Sequence, residues 1–265
     1  MKIVCLKGGL GNQMFEYCRF RDLMESGHDE VYLFYDHRRL KQHNGLRLSD
    51  CFELELPSCP WGVKLVVWGL KICRAVGVLK RFYVPEKPEA VLIDDYSQHR
   101  RFIPNARRYF FFRQFLAELQ SGFVQMIRAV DYPVSVHVRR GDYLHPSNSS
   151  FGLCGVDYFQ QAIAYVRKKR PDARFFFFSD DMEWVRENLW MEDAVYVEHT
   201  ELLPDYVDLY LMTLCRGHII SNSTFSFWGA YLAVDGNGMK IYPRRWFRDP
   251  TWTSPPIFSE EWVGL

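Results

Sequence analysis

The sequence of 265 residues has almost no excess charge of either sign, since 33 basic residues stand against 32 acidic ones. A formal charge of +1 argues against a protein that binds nucleic acid through its overall field, so no nucleic-acid partner is expected. The sequence also lacks any CxxC pair, and its seven cysteines are scattered and odd in number. We therefore expect free thiols in a reducing compartment and no zinc site.

A long uninterrupted apolar run is missing as well. The most apolar stretch, residues 61–83, is interrupted by five basic residues and is typical of an amphipathic helix, which leaves peripheral membrane contact open. The amino terminus runs directly from Met1-Lys2 into a short apolar strand and does not resemble a signal peptide. We therefore expect a cytoplasmic protein, and the sequence gives no indication of its oligomeric state.

Hydrophobic residues make up 48% of the chain and aromatic residues 17%, which is typical of a globular protein with one or two sizeable cores. Strand and helix patterns alternate along most of the chain, and this alternation predicts an α/β fold with parallel sheets. We place a domain boundary near residue 131, which gives domains 1–131 and 132–265. Just before that boundary, residues 107–115 are predicted to form a short strand and residues 114–129 a helix.

A glycine-rich turn follows the first predicted strand, residues 2–6. Its sequence GLGNQM at residues 9–14 comes within one residue of the dinucleotide fingerprint, and Asp36 ends the second strand where that fold keeps an acid for ribose. An NAD-type oxidoreductase is therefore one hypothesis. Against it, Met14 stands where a third small residue would allow close helix packing, and the polar residues before it are not explained by the fingerprint.

The second half of the chain contains the strongest signal. A strand of alternating valines at residues 134–138 leads directly into Arg139, Arg140, Gly141 and Asp142. Two guanidiniums at a strand end offer planar donor forks that match a phosphate bidentately. The alternative is a surface arginine pair held in an ion pair by Asp142.

Polar groups also follow the neighbouring strands of the predicted parallel sheet. The carboxyl ends of all its strands lie at one edge, where ligands bind, so we expect these groups to meet the arginine pair. They are His137, Asp180, Asp181, His199, Asn222, Ser223 and Thr224. One of the two aspartates is predicted to cap the next helix, which leaves the other for a ligand such as guanine. A phosphate is expected at the arginines and at the helix start in residues 223–226.

Four motifs, in the same order, resemble the bacterial-type α-1,2-fucosyltransferases of glycosyltransferase family 11. They are GGLGNQMF at residues 8–15, HVRRGDY at 137–143, FSDD at 178–181 and NSTFSFWGA at 222–230, and they span nearly the whole chain. The resemblance implies the glycosyltransferase type B fold, with two Rossmann-like domains whose parallel sheets face a cleft. It also implies inverting transfer of L-fucose from GDP-L-fucose to the 2-hydroxyl of a galactose-terminated oligosaccharide, without a metal or other cofactor.

The resemblance implies a role for each matched residue. The expected donor-binding residues are Gly9, Gly11, His137, Arg139, Arg140, Asp180, Asp181, Ser223, Thr224 and Phe225. Arg139 would hold the β-phosphate of the departing GDP, and Asn12 would lie near the glycosidic oxygen. The resemblance does not assign a general base. Asp142, the third expected catalytic residue, and His37 are candidates on position alone, and no base is needed if a phosphate oxygen takes the proton.

The chain departs from the usual family pattern at two positions. Glu16 stands where glutamine is expected, and Phe227 stands where tryptophan is common. Neither position is among the charged residues expected to bind the donor, so the two departures concern acceptor fit rather than donor use. A fucosyltransferase of another linkage, the NAD-type oxidoreductase and a catalytically silent glycan- or nucleotide-binding module remain the alternative hypotheses.

Overall fold

The computed structural model describes residues 1–84, 87, 89–119, 122–146, 150–199 and 203–265, and the side chains of His43 and Asp142 lie outside this description. The chain divides into two compact units, Met1–Arg113 and Gln114–Leu265. Residues 114–131, which the boundary drawn from the sequence assigned to the first domain, group with the second unit in the structure.

The first unit is built on a parallel sheet in the order β2–β1–β3, with β1 at Lys2–Leu6, β2 at Val31–Tyr35 and β3 at Leu92–Ile93. Strand β1 is almost wholly buried and pairs with β2 along its full length. The described α-helices of this unit are α1 (Leu10–Glu25), α2 (His37–Leu40), α3 (Leu48–Cys51) and α4 (Trp61–Ala75). Short 3-10 turns occupy Lys41–His43, Lys80–Phe82, Arg100–Phe102 and Ala106–Arg108.

The sequence predicts the start of this unit well and its end poorly. Strand β1 has the predicted bounds, and Gly27 follows helix α1 with a φ of +80°, as a left-handed cap requires. The strand predicted at residues 107–115 is wrong, because the segment makes only a single antiparallel bridge, from Phe112 to Phe52. The rings of Phe110 and Phe112 pack on Phe52 with centroids 4.8 and 5.0 Å away, so ring burial accounts for the apolar pattern.

The second unit has, among its described residues, a six-stranded parallel sheet in the order β6–β5–β4–β7–β8–β9. Its strands are β4 (Tyr132–Val138), β5 (Ala173–Ser179), β6 (Val195–Tyr196), β7 (Gly217–Ile219), β8 (Lys240–Tyr242) and β9 (Val263–Gly264). Its described α-helices are α5 (Gln114–Ala117), α6 (Gly122–Arg128), α7 (Val156–Lys169), α8 (Met182–Asn188), α9 (Tyr206–Thr213) and α10 (Thr224–Tyr231). The predicted parallel arrangement is confirmed in both units.

Strand β4 lies between β5 and β7 in the second sheet, and β5 is apolar on both faces, as buried parallel strands are. Every residue of β4 is buried, and helix α7 covers this sheet with side chains such as Phe159 and Val166. Strands β4 and β5 pair along their whole length, ending with Val138 opposite Ser179. The residues that follow each strand therefore emerge side by side at the carboxyl edge.

Many aromatic side chains are buried in the cores. Phe227 is fully buried on α10, and its ring stacks on those of Tyr231 and Trp262, with centroids 5.6 and 5.3 Å away. This stacking shows how phenylalanine fills the position where the resemblance leads us to expect tryptophan.

The seven cysteines all belong to the described residues, and each is a free thiol. Among the described helices, none combines the length and the apolar character that crossing a membrane requires.

Candidate active site

The centre of the site is the pair of turns that follow β4 and β5. Because these strands are paired to their last residues, the two arginines lie directly beside the two aspartates. Nη1 of Arg139 lies 3.0 Å from Oδ2 of Asp180, and Nε of Arg140 lies 2.9 Å from Oδ2 of Asp181. The backbone N–H of Arg140 also donates to Oδ1 of Asp180, at 2.9 Å. The arginines are thus held by carboxylates of the neighbouring strand end.

The two guanidiniums have different environments. The side chain of Arg140 is 15% exposed, and its guanidinium lies over the ring of Trp184 at 4.0 Å. The side chain of Arg139 is 34% exposed and lies 5.9 Å from the ring centroid of Tyr143. Ring and carboxylate together fix Arg140 in the turn, whereas the side chain of Arg139 stays partly exposed.

The two aspartates also differ. Oδ1 of Asp181 accepts from the backbone N–H of Trp184 at 3.2 Å, which confirms the prediction that one of the pair caps the next helix, α8. The carboxylate of Asp180 pairs with Arg139 and accepts from the backbone N–H of Arg140. A nucleobase could therefore hydrogen-bond to Asp180 only through the oxygen lone pairs that these two contacts leave. Across the described residues, no group of three or more His, Cys, Asp or Glu side chains could hold a metal ion.

Gly141 leaves no room for a side chain unless its neighbour moves. A methyl carbon at this position would lie 2.6 Å from Oδ2 of Asp180, closer than real Cβ atoms come to other atoms, so the carboxylate would have to shift. The turn therefore closes directly on the carboxylate that holds Arg139. Asp142 follows within the 3-10 turn Gly141–Leu144, but its side chain lies outside the described residues. Its ion pair with the arginines and its role as a base therefore stay predictions.

His137 lies on β4 beside this turn and is 6% exposed. Its Nδ1 lies 2.9 Å from the hydroxyl of Ser221, and its ring centroid lies 5.7 Å from that of Phe225. Burial lowers the pKa of His137 from 6.5 to about 4, while Asp180 opposes this change and Arg139 adds to it. The imidazole is therefore neutral near neutral pH and can hydrogen-bond a ligand without adding charge.

The loops around the site are joined by Asn222, to which the sequence analysis gave no separate role. Its side-chain amide donates to the carbonyl oxygens of Phe151 and Trp246, at 3.0 and 2.8 Å. Its own backbone carbonyl accepts from the hydroxyl of Tyr143 at 3.0 Å. This one residue therefore ties the arginine turn to two other loops.

Helix α10 begins directly after this junction. Ser223 occupies its N-cap position in an extended conformation, and in the described chain its side chain makes no capping hydrogen bond. Thr224 and Phe225 form the first turn. The backbone N–H groups and positive dipole end of a helix start suit a negatively charged group.

A cavity of about 460 Å³ lies next to the arginine turn, within the second unit. Its walls combine aromatic rings with guanidiniums, among them Tyr143, Phe151, Phe247, Arg245 and Arg248. Such walls suit a flat ring and an anionic group. Arg245 and Arg248 were not predicted as site residues, although they follow β8 and the strand-end rule that located the first pair applies to them equally.

In the first unit, the glycine turn is held together by polar side chains. Gly8 has a φ of +69°, which glycine adopts most readily. Nε2 of the buried Gln13 donates to the carbonyl oxygens of Gly8 and Gly45, both at 2.9 Å, and Oδ1 of Asn12 accepts from Gln98 at 2.9 Å. The polar pair that the dinucleotide fingerprint did not explain therefore supports the turn.

Helix α1 starts from this turn. Gly9 is its N-cap residue, and Gly11 is buried in its first turn. Glu16, further along, is fully buried, and its Oε2 accepts from the backbone N–H of Lys7 at 2.8 Å. Burial raises the pKa of Glu16 well above 4.5, despite the opposing effect of Lys7, and so favours the neutral acid.

His199 and His37 are the remaining site residues suggested by the sequence, and both lie in local surroundings of their own. Nε2 of His199 lies 2.8 Å from Oδ1 of Asp208 on α9, and this hydrogen bond raises the pKa of His199 above 6.5. His37 is exposed at the start of α2. Asp36 caps the same helix by accepting from the N–H of Arg38 at 3.0 Å, so the acid that the NAD hypothesis gave to ribose has a local structural partner.

Comparison with known proteins finds relatives over the whole chain. The sequence profile of Glycosyl transferase family 11 matches residues 105–265. An "Alpha-1,2-colitosyltransferase" of Escherichia coli is 28% identical over 98% of this chain and 97% of its own length. The "O-antigen biosynthesis glycosyltransferase WbnK" of Escherichia coli is 25% identical over 98% of this chain and 99% of its own length. The "Galactoside alpha-(1,2)-fucosyltransferase 1" of Homo sapiens is 32% identical over 54% of this chain and 42% of its own length.

Among solved structures, NodZ alpha-1,6-fucosyltransferase co-crystallized with GDP is similar to this chain with a TM-score of 0.51 and 14% identity. The similarity covers 87% of this chain and 91% of that chain. At this level of identity it concerns the fold alone. It confirms the predicted glycosyltransferase type B class, with parallel α/β sheets in both units.

Proposed function

The chain belongs to glycosyl transferase family 11, and from this premise we propose that it transfers L-fucose from GDP-L-fucose to the 2-hydroxyl of a terminal galactose. The transfer inverts the anomeric carbon and uses no metal ion. The observation that carries the proposal is the guanidinium of Arg139, which is partly exposed and held at the end of β4 by Asp180. The relatives named as α-1,2 transferases support the linkage.

The chemistry of the reaction calls for such a group. Breaking the bond between C1 of fucose and the diphosphate develops positive charge on the sugar and negative charge on the leaving GDP. Arg139 would bind the β-phosphate and stabilise that leaving charge. Because strand pairing and Asp180 hold the guanidinium before the donor arrives, little reorganisation is needed as the charge develops.

The other groups of the second unit complete the proposed donor site. Arg140 supports the turn from its place against Trp184, and the neutral His137 faces the guanosine. The start of α10, from Ser223 to Phe225, binds the diphosphate through its N–H groups. One of the aspartates, Asp180 or Asp181, accepts from the guanine base through an oxygen lone pair.

The acceptor hydroxyl must lose its proton as it attacks C1. Asp142 and His37 are the candidate bases, and an oxygen of the departing phosphate is the alternative proton acceptor. Asn12, on the glycine turn, is assigned to the glycosidic oxygen. The reaction then balances as one C–O bond formed to the acceptor and one broken to GDP.

Colitose transfer is a second candidate activity. It is favoured by the similarity to the Escherichia coli α-1,2-colitosyltransferase, which extends over 98% of this chain. Colitose is L-fucose without its 3-hydroxyl, so the leaving-group chemistry at the diphosphate is the same for both donors. Parallel incubation with GDP-L-fucose and GDP-colitose, followed by linkage analysis of the products by NMR, separates the two activities.

The decisive test replaces Arg139 by alanine and, separately, by lysine. Loss of one preorganised donor to a developing anion costs about 3 to 4 kcal/mol of barrier, so we expect turnover to fall by about a hundredfold to a thousandfold. Lysine keeps the charge but loses the planar fork and should recover only part of the rate. Arg167→Ala is the matched control, because Arg167 pairs with Asp193 at the far end of α7.

Turnover of Arg139→Ala close to that of the unaltered enzyme, with an intact fold, would refute the assignment. Retention of full activity after exhaustive chelation supports the metal-free reaction, and loss that added Mg²⁺ or Mn²⁺ restores contradicts it. Slow release of GDP from GDP-L-fucose without acceptor is enough to exclude the binding-module hypothesis. Tight NAD(H) binding with no response to GDP is the result that would favour the oxidoreductase hypothesis.

A further inference from the structure

Helix α4 of the first unit carries apolar side chains on two opposite faces. One face is packed into the core, where Val63 and Val67 are 8% and 0% exposed and lie near Phe34. On the other face, large apolar residues recur at intervals of four, three and four positions, which places them within an arc of about 60° on a helix of 3.6 residues per turn. This apolar stripe consists of Trp61, Leu65, Trp68 and Ile72, and these residues are 64%, 51%, 46% and 66% exposed.

The exposed apolar surface continues past the end of the helix. Val76, Val78 and Leu79 are 68%, 49% and 51% exposed. Leu79 also has a φ of +55°, a left-handed conformation that residues other than glycine, asparagine and aspartate rarely adopt. The chain therefore holds a leucine in an unfavourable backbone conformation at a point where its side chain faces solvent.

The charged residues of the segment that carries the stripe all have one sign. Residues 61–84 contain five basic residues and no acidic one, in a chain whose total formal charge is +1. Lys64 and Lys71 lie along one side of the stripe, and Lys80 and Arg81 follow the apolar turn. The fifth basic residue, Arg74, pairs with Asp94 at 3.2 Å.

We propose that residues 61–81 dock the first unit on the surface of an anionic lipid bilayer. A helix that lies in the membrane interface has an apolar face containing tryptophan and leucine, with basic residues beside it, as this segment does. The rings of Trp61 and Trp68 pack edge to face, with centroids 5.5 Å apart, and so present one joint aromatic surface. Indole rings favour the boundary between headgroups and acyl chains, where they meet both apolar and polar surroundings.

Charge complementarity selects the bilayer over a second copy of the chain. An interface formed by this segment with itself would bring the basic flanks of two copies together without any carboxylate of the segment to neutralise them. Anionic headgroups supply that opposite charge over a broad surface. The proposal concerns the first unit, whereas the arginine turn belongs to the second, and it stands or falls independently of the proposed transferase activity.

The test is flotation of the purified full chain with lipid vesicles. We expect it to float with vesicles that contain about one quarter phosphatidylglycerol at about 0.1 M salt, and to remain unbound with pure phosphatidylcholine. The double variant W61A/W68A should lower the partition coefficient by about tenfold or more. W190A is the matched control, since Trp190 is 66% exposed but belongs to the second unit.

Circular dichroism and the melting temperature establish that each variant is folded. The charge variant K64Q/K80Q should weaken binding to anionic vesicles and, like the unaltered chain, remain unbound with pure phosphatidylcholine. The proposal is overturned if the unaltered chain does not float with anionic vesicles, or if W61A/W68A floats as well as W190A. It is equally overturned if the chain forms a concentration-dependent dimer that W61A/W68A abolishes while no vesicles are bound.

Discussion

Replacing Glu16 by glutamine is expected to stabilise the first unit, and to do so more strongly as the pH rises. The carboxyl group is fully buried on α1, and its Oε2 accepts from the N–H of Lys7 at 2.8 Å. Among the described atoms, its Oε1 has no hydrogen-bond partner. Burial raises the pKa of Glu16, and Asp94 and Asp95 raise it further against the opposing effect of Lys7. Glutamine has nearly the shape of the neutral acid and cannot ionise.

Linkage between protonation and folding sets the sign and size of the effect. The unfolded chain releases the proton of this carboxyl above its usual pKa of 4.5, whereas the folded chain keeps it to a higher pH. Since the folded pKa is raised, the unaltered protein loses stability as the pH rises from the unfolded value through the folded one. The loss is about 1 kcal/mol per pH unit within that window. The glutamine variant has no such loss, so its advantage should reach at least about 1 kcal/mol near neutral pH.

The assay is hydrogen exchange of the β1 amides at about pH 5, 6 and 7, corrected for the intrinsic rate, because these amides report the opening of the first unit. Glu25→Gln on the same helix is the matched control with the opposite sign. The hydroxyl of Tyr109 lowers the pKa of Glu25, so the disadvantage of that variant develops as the pH rises to the usual value of 4.5 and should then stay constant over the measured range. An advantage of Glu16→Gln that stays constant or shrinks with pH would mean that the carboxyl is ionised in the fold.

The same reasoning accounts for one departure from the family pattern. Glutamine is the residue that the resemblance leads us to expect at position 16. A glutamate whose pKa is raised by burial resembles glutamine in shape and charge, and it keeps the same hydrogen bond from Lys7. The substitution is therefore compatible with the glycine turn that carries Asn12.

Two further predictions concern the second unit. Gly141→Ala places a methyl group 2.6 Å from Oδ2 of Asp180 and should lower kcat/KM for the donor by about tenfold or more. The control is Gly155→Ala, which should change kcat/KM little because nothing lies within 4 Å of the added methyl group. Equal effects of the two substitutions would contradict the steric argument. Burial lowers the pKa of His137 to about 4 and that of His218 to about 3, so stability should fall as the pH drops below 6.5 and continue to fall toward those values. In NMR titrations both rings should remain neutral at about pH 5.5, and a midpoint near 6.5 for either ring would contradict this prediction.

The part of the fold that could be predicted from sequence is the part that strand pairing dictates. Alternating or continuous apolar runs mark β1, β4 and β5, and the parallel rule then places their carboxyl ends at one edge of each sheet. From this rule alone the arginine pair and Asp180 could be expected to meet. The structure adds the contact itself, because register is a property of two strands together and cannot be read from either one.

The features that could not be predicted depend on interactions that leave no periodic pattern in the sequence. The loop contacts of Asn222 are hydrogen bonds to backbone carbonyls, and any residue can provide a carbonyl. The run of aromatic residues before position 113 imitates a strand because burial of rings in a loop requires the same residue types as a sheet. Arg245 and Arg248 were missed because β8 is only three residues long and gives a weak strand signal.

Arg139 and Arg140 show why the site must be described from the structure as well as from the sequence. The two residues are identical and adjacent, but their side chains have different partners. Arg140 is fixed against Trp184 and Asp181, while Arg139 keeps a third of its side chain exposed beside Asp180. On the proposed function, the exposed guanidinium meets a diphosphate without first having to be ordered. Interaction energy with the donor is then available for the transition state, where the leaving charge is greatest.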